Sequence, residues 1–142
     1  MTRMLTGLLL VLCLQLASCT RPPDSIIRFG LASAPANLDP RYATDAASAR
    51  INRLLYRRLV DFDEHVRPVP ALADWQQLAP TQYRFRLRPQ RARFHDGTLL
   101  TTADVAATYR SILDAGSTSP HATPLRLITR IEVLDATTLD FH

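Results

Sequence analysis

Phe94-His95-Asp96-Gly97-Thr98-Leu99-Leu100-Thr101-Thr102-Ala103-Asp104-Val105 follows an alternating run, Tyr83-Arg84-Phe85-Arg86-Leu87-Arg88. Together they spell strand, turn, capped helix. Tyr83, Phe85 and Leu87 recur at period two, which gives a strand one apolar face and sets Arg84, Arg86 and Arg88 on the other. Asp96-Gly97 marks a turn, because glycine accepts positive φ and an aspartate can bond nearby backbone. Thr101 has Asp104 three residues on, the spacing of a capping box. Val105, Tyr109, Ile112 and Leu113 then share one helical face, with the helix ending near Asp114.

Working outward, residues 26–31 predict a strand and residues 33–40 a loop rich in turn formers, with Asn37-Leu38-Asp39-Pro40 at its end. Loop continues to residue 47. Asp45 or Ser48 then caps a helix to about residue 59, with Ile51, Leu54, Leu55, Arg58 and Leu59 near one face. A short strand at 60–63 precedes Pro68-Val69-Pro70-Ala71-Leu72-Ala73-Asp74-Trp75, in which Trp75 is read as a core anchor, with ligand stacking as the alternative. After the second helix comes a polar loop at 116–124. Residues 129–134 and 138–141 form a hairpin across Asp135-Ala136-Thr137.

These words, in this order, resemble family 5 extracellular solute-binding proteins, the peptide-type receptors of bacterial ABC importers. The likeness rests on N-L-D-P at 37–40, Arg67 to Trp75 against the family's P-x-L-A-x-x-W segment, F-H-D-G-T-x-L-T-x-x-D-V at 94–105, Ser119-Pro120 and the closing hairpin. It spans about residues 26–141. One word departs: Tyr56-Arg57-Arg58-Leu59 carries arginine where the family has glycine in Tyr-x-Gly-Leu, a residue that suits helix ends.

The resemblance implies an α/β, periplasmic-binding-protein-like (type II) two-lobed fold, of which this chain is the amino-terminal part. It implies capture of a peptide or other small solute, delivery to ABC transporter permease subunits, no cofactor and no catalysis. In such receptors the loop after N-L-D-P lines the cleft, which assigns ligand contact to Thr44, Asp45, Ala46 and Ala47. Asp96, Gly97 and Asp104 are expected to be structural. The chain stops at His142, so the resemblance also carries the expectations of an incomplete receptor with open strand edges, which binds peptide poorly on its own.

The amino terminus reads as an address. Arg3 precedes an apolar stretch at 5–16 of secretory length, and Leu16-Ala17-Ser18-Cys19 resembles a bacterial lipobox. Residues 1–18 are thus a signal peptide, Cys19 is the lipidation site, and residues 19–25, with Pro22-Pro23, are a tether from a membrane anchor. The alternative is an ordinary cleaved signal with Cys19 incidental. Cys13 falls inside the apolar stretch, so the mature chain has no disulfide. The expected location is the periplasm or cell envelope, with the choice of membrane open.

Composition narrows the rest. The chain has 142 residues, 46% of them apolar, enough for one domain with a core. Its net charge is +4, and all 17 basic residues are arginine. Arg84, Arg86, Arg88, Arg91 and Arg93 interleave with Tyr83, Phe85 and Phe94, but alternation separates rings from cations on opposite faces. That argues for a solvated outer strand face and against nucleic-acid binding. His65, His95, His121 and His142 are scattered without metal-ligand spacing. His95-Asp96 has no nucleophile partner, so a secreted hydrolase is the weakest alternative; a small envelope lipoprotein with a structural or interaction role is the other.

Overall fold

A computed structural model describes residues 25, 26 and 28–142 of the chain. The signal peptide, Cys19 and residues 19–24 of the tether lie outside the described residues. The chain divides into two compact units, residues 1–31 and 32–142. In the first, the described residues of the expected strand at 26–31 take no strand conformation, and Ile26 and Phe29 are exposed. Alternation yields a strand only where one face finds a surface to pack on.

The second unit holds α1 (Ala46–Leu55), β1 (Val60–Phe62), β2 (Pro68–Pro70), β3 (Ala73–Ala79), β4 (Gln82–Leu87), α2 (Thr102–Leu113), α3 (Ala122–Leu125), β5 (Ile131–Val133) and β6 (Thr138–Phe141). β1 and β2 pair as a small antiparallel ribbon, and the others form a four-stranded antiparallel sheet in the order β3-β4-β6-β5. Among the described residues no helix is long and apolar enough to cross a membrane.

The apolar face of β4 does what its alternation requires. Leu87 is buried with Ala73, Ala92, Val105, Leu139 and Phe141, and Phe85 and Tyr109 pack against that cluster. Rings lock the helix to the sheet: Phe141 meets Tyr109 edge-on at 4.9 Å between centroids and Phe85 at 5.3 Å. α2 presents Val105, Ala106 and Ile112 inward, close to the expected face. All four residues of β6 are buried, as befits a strand flanked on both sides.

The organising stretch folds as read. Asp96 Oδ1 accepts from the Thr98 amide at 2.9 Å and its hydroxyl at 2.7 Å, while Gly97 takes φ of +86°. Asp104 Oδ2 accepts from the Thr101 amide and hydroxyl, both at 2.8 Å, closing the start of α2.

Three differences are informative. α1 ends at Leu55, short of residue 59, and it buries Ala47, Ser48 and Asn52 while Leu54 is 69% exposed. The small polar side chains let the preceding loop close over them. Trp75 is half-buried on β3, a strand absent from the sequence reading, where it stands opposite Phe85. The outer face of β4 is also not uniformly solvated: Arg86 is exposed, but Arg84 is bound to buried Asp140 on β6.

Candidate functional site

The N-L-D-P segment is a chain of short side-chain clamps. Asn37 Oδ1 accepts from the Asp39 amide at 2.8 Å, and Asp39 Oδ1 accepts from the Arg41 amide at 2.9 Å. The Arg41 guanidinium returns onto the same carboxylate, with Nη2 2.7 Å from Asp39 Oδ2 and Nε 3.0 Å from Oδ1. That hydrogen bonding holds the Asp39 carboxyl below its ordinary range. Arg41 Nη1 also donates to Ser111 of α2 at 3.2 Å.

The residues that follow are pinned from the other side. Ser119 donates its hydroxyl to the Arg41 carbonyl at 2.6 Å, and His121 Nε2 lies 3.0 Å from the Ala43 carbonyl oxygen. The Ser119-Pro120 word thus acts as a brace for the loop. Asp45 then caps α1. Its Oδ1 accepts from the Ser48 amide at 2.9 Å and its Oδ2 from the Ser48 hydroxyl at 2.5 Å. Ser48, fully buried, accepts in turn from the Asn37 amide at 3.1 Å. The Ser48 bonds lower the Asp45 pKa, so this cap stays ionised at neutral pH.

Of the four expected contact residues, Thr44 and Ala46 are exposed, Asp45 is half-buried as the cap, and Ala47 is buried. The first amides of a helix have no intrahelical acceptor, and here the Asp45 carboxylate serves that end of α1, with the Ala46 side chain exposed beside it and Ala47 turned into the protein. Beside this loop opens a cleft of about 610 Å³, lined by Pro40, Arg41, Leu59, Leu72, Phe85 and Tyr109 among others. A second hollow of about 520 Å³ shares Pro40, Arg57, Leu72 and Thr108 with it and reaches Phe94 and His95. Thr44 to Ala47 line neither; Pro40 and Arg41 of the same loop do. Sequence reasoning missed this contribution, because the facing walls come from residues far apart in the chain.

Neither Trp75 nor a catalytic pair enters these walls. The Asp96 carboxylate is spent on Thr98, whose bonds lower its pKa. Among the described residues no three His, Cys, Asp or Glu side chains gather at metal-binding range.

Residues 65–142 match the model of bacterial extracellular solute-binding proteins, family 5 (Middle), which is more than half of the chain. The chain belongs to this family. The family 5 assignment is matched by solved structures. The Escherichia coli murein tripeptide binding protein is 27% identical, with a TM-score of 0.70, over 76% of this chain and 25% of that one. The oligopeptide-binding protein AppA of Bacillus subtilis, solved with a nonapeptide, is 27% identical with a TM-score of 0.68, over 71% of this chain and 20% of that one. The A. tumefaciens binding protein AgaA, solved with agropinic acid, is 30% identical with a TM-score of 0.70, over 76% of this chain and 22% of that one. No curated protein sequence matches the chain. The family 5 chain described here spans a fifth to a quarter of the length of these structures, and its mixed helix and sheet architecture is the corresponding part of their periplasmic-binding-protein fold. The family and these relatives are binding proteins, not enzymes.

Proposed function

We propose that this chain contributes to the substrate-binding component of an ABC importer, capturing peptides in the cell envelope and passing them to the permease subunits. Membership of family 5 carries the reading. Peptide is favoured because two of the three relatives described above are named for peptides or were solved with one. The chain's own residues supply a braced loop: Asp39, Arg41, Ser48, Ser119 and His121 tie residues 37–48 together by hydrogen bonds. Thr44, Asp45, Ala46 and Ala47 contact the ligand, the helix-start amides facing its backbone oxygens. Residues 1–18 serve as signal peptide, 19–25 as tether and 26–142 as part of the binding domain, with an acyl anchor on Cys19 holding the chain to a membrane.

Two measurements test this. Labelled palmitate is expected to enter the chain in a bacterial host and to vanish in Cys19→Ser, which then leaves the membrane fraction; unlabelled wild-type chain overturns the anchor. For the site, a tripeptide pool titrated to millimolar concentration into the isotope-labelled chain is expected to shift the amides of residues 44–47. Shifts confined elsewhere, or none at all, overturn the assignment of that loop.

A further inference from the structure

Arg58 of Tyr56-Arg57-Arg58-Leu59, which stands where the family word has glycine, is given a use by the fold. The exit from α1 needs no left-handed residue: Tyr56 is already extended, with φ −119° and ψ 146°. The Arg58 carbonyl accepts from the Leu72 amide at 3.0 Å, which ties the backbone there. A side chain at residue 58 is therefore tolerated, and it helps to wall a pocket of about 240 Å³ with Arg53, Tyr56, Arg57, Asp61 and Arg91.

Four guanidinium groups thus belong to residues lining one small hollow, against the single carboxylate of Asp61, a local excess of three positive charges. Asp61 is a weak counterweight. Its Oδ1 lies 3.7 Å from Arg53 and 3.6 Å from Arg58, beyond hydrogen-bond range, and already accepts the Phe62 amide at 2.9 Å. Arg57 Nη1 donates to the Arg91 carbonyl, which draws a cation in without neutralising it. All four arginines are exposed, so water screens their repulsion, but an oxyanion seated in the hollow would gain charge-assisted hydrogen bonds from several of them at once.

We propose that this pocket binds a phosphate group. The arginines come from three places: the last turn of α1, the extended exit after it, and the loop after β4. The hollow is thus lined by arginines from separate stretches of the chain. A tetrahedral phosphate offers oxygens to several forks at once and carries up to two negative charges, whereas a planar carboxylate satisfies one fork and carries one. The site is separate from the loop at 44–47, and it stands whether or not peptide is the transported solute. Its phosphate comes from a free phosphorylated solute or from an anionic lipid headgroup.

The test is a titration of the full chain with inorganic phosphate, against chloride at equal ionic strength, followed by NMR of arginine Nε–H signals and of the amides at 56–61 and 91. Saturable shifts specific to phosphate are expected. The double variant Arg58→Gly, Arg91→Gln is expected to weaken them about tenfold or more, and Arg126→Gln, outside the pocket, to leave them unchanged. The core amides of Leu139 and Phe141 report that the fold survives. Sedimentation with phosphatidylcholine vesicles, with and without phosphatidylglycerol, distinguishes the sources. A gain from the anionic lipid that the double variant loses assigns a headgroup; no such gain, with phosphate still bound, assigns a free solute. Shifts no greater for phosphate than for chloride, or equal binding by the double variant, overturn the proposal.

Discussion

Arg84 grips both oxygens of Asp140: Nε lies 2.8 Å from Oδ1 and Nη2 2.8 Å from Oδ2, across the β4–β6 pair where the two residues stand in register. Asp140 is 1% exposed on the central strand, and Gln82 Nε2 adds a third bond at 2.9 Å. A carboxylate in that position is held ionised, first by the Arg84 bonds, and its pKa is lowered.

Replacing Asp140 by Ala strands the guanidinium and opens a gap beside β4. The expected loss is about 2 kcal/mol, below the figure for a fully buried pair because Arg84 retains access to water. Urea unfolding measures it. The pH dependence follows from the direction of the shift. A carboxyl whose folded pKa is depressed adds stability above its unfolded value, ordinarily 3.8, and that contribution fades as pH falls through the lower folded value. Stability is expected to hold from neutral pH to about pH 5 and to decline below about pH 4. Asp140→Asn is expected to flatten that decline; an unchanged acid profile would remove Asp140 from the account.

Val66 and Gly97 make a matched pair of backbone tests. Both take positive φ, +61° and +86°, in exposed turns. Valine is β-branched and strained there, whereas glycine is at ease. Val66→Gly is expected to gain about 1 kcal/mol, the relief of strain exceeding the added chain entropy. Gly97→Ala is expected to lose about 1 kcal/mol, although an added Cβ would meet nothing within 4 Å. Opposite signs in thermal melts would show that dihedral preference, not crowding, governs these turns.

Asn52 offers a third test. It is buried in α1, and its Oδ1 has no hydrogen-bond partner among the described residues. An orphaned buried carbonyl carries its desolvation cost with no return. Asn52→Leu, which keeps the branched heavy-atom skeleton but is bulkier, is expected to raise stability by about 1 kcal/mol if the site takes the added methyls without overpacking. A lower melting temperature would mean that the amide is needed where it stands.

What the sequence disclosed was chemistry that closes over a few residues. Asp96 to Thr98 and Thr101 to Asp104 are contacts of two and three positions, so the turn and the helix start were legible. The alternation of Tyr83, Phe85 and Leu87 marked β4 for the same reason. β3 was not legible: Ala73-Asp74-Trp75-Gln76-Gln77-Leu78-Ala79 has little strand character of its own and becomes a strand by pairing with β4. The inward face of α1 misled because Leu54 and Leu55 outrank Ser48 and Asn52 in hydropathy, yet the loop at 37–39 needs a small polar surface to close on. At the candidate site, Asp45 was one of two residues offered as the helix cap, Ser48 being the other. The cleft beside Pro40 and Arg41 was not foreseen, since its opposite wall is built from Leu72, Phe85 and Tyr109.

The strand order has a consequence for how the domain is made. β6 follows β5 in the chain, yet it stands between β4 and β5. A nascent chain can fold the β3–β4 hairpin early, but Phe85 and Leu87 then wait, partly bare, for Leu139 and Phe141 to leave the ribosome. Closing the sheet means joining Tyr83 to Phe141 across a long stretch that includes α2. Such distant pairing is slow relative to hairpin formation. During that interval the exposed apolar face of β4 would be a surface for a chaperone to shield, and β6 acts as the latch that ends the wait.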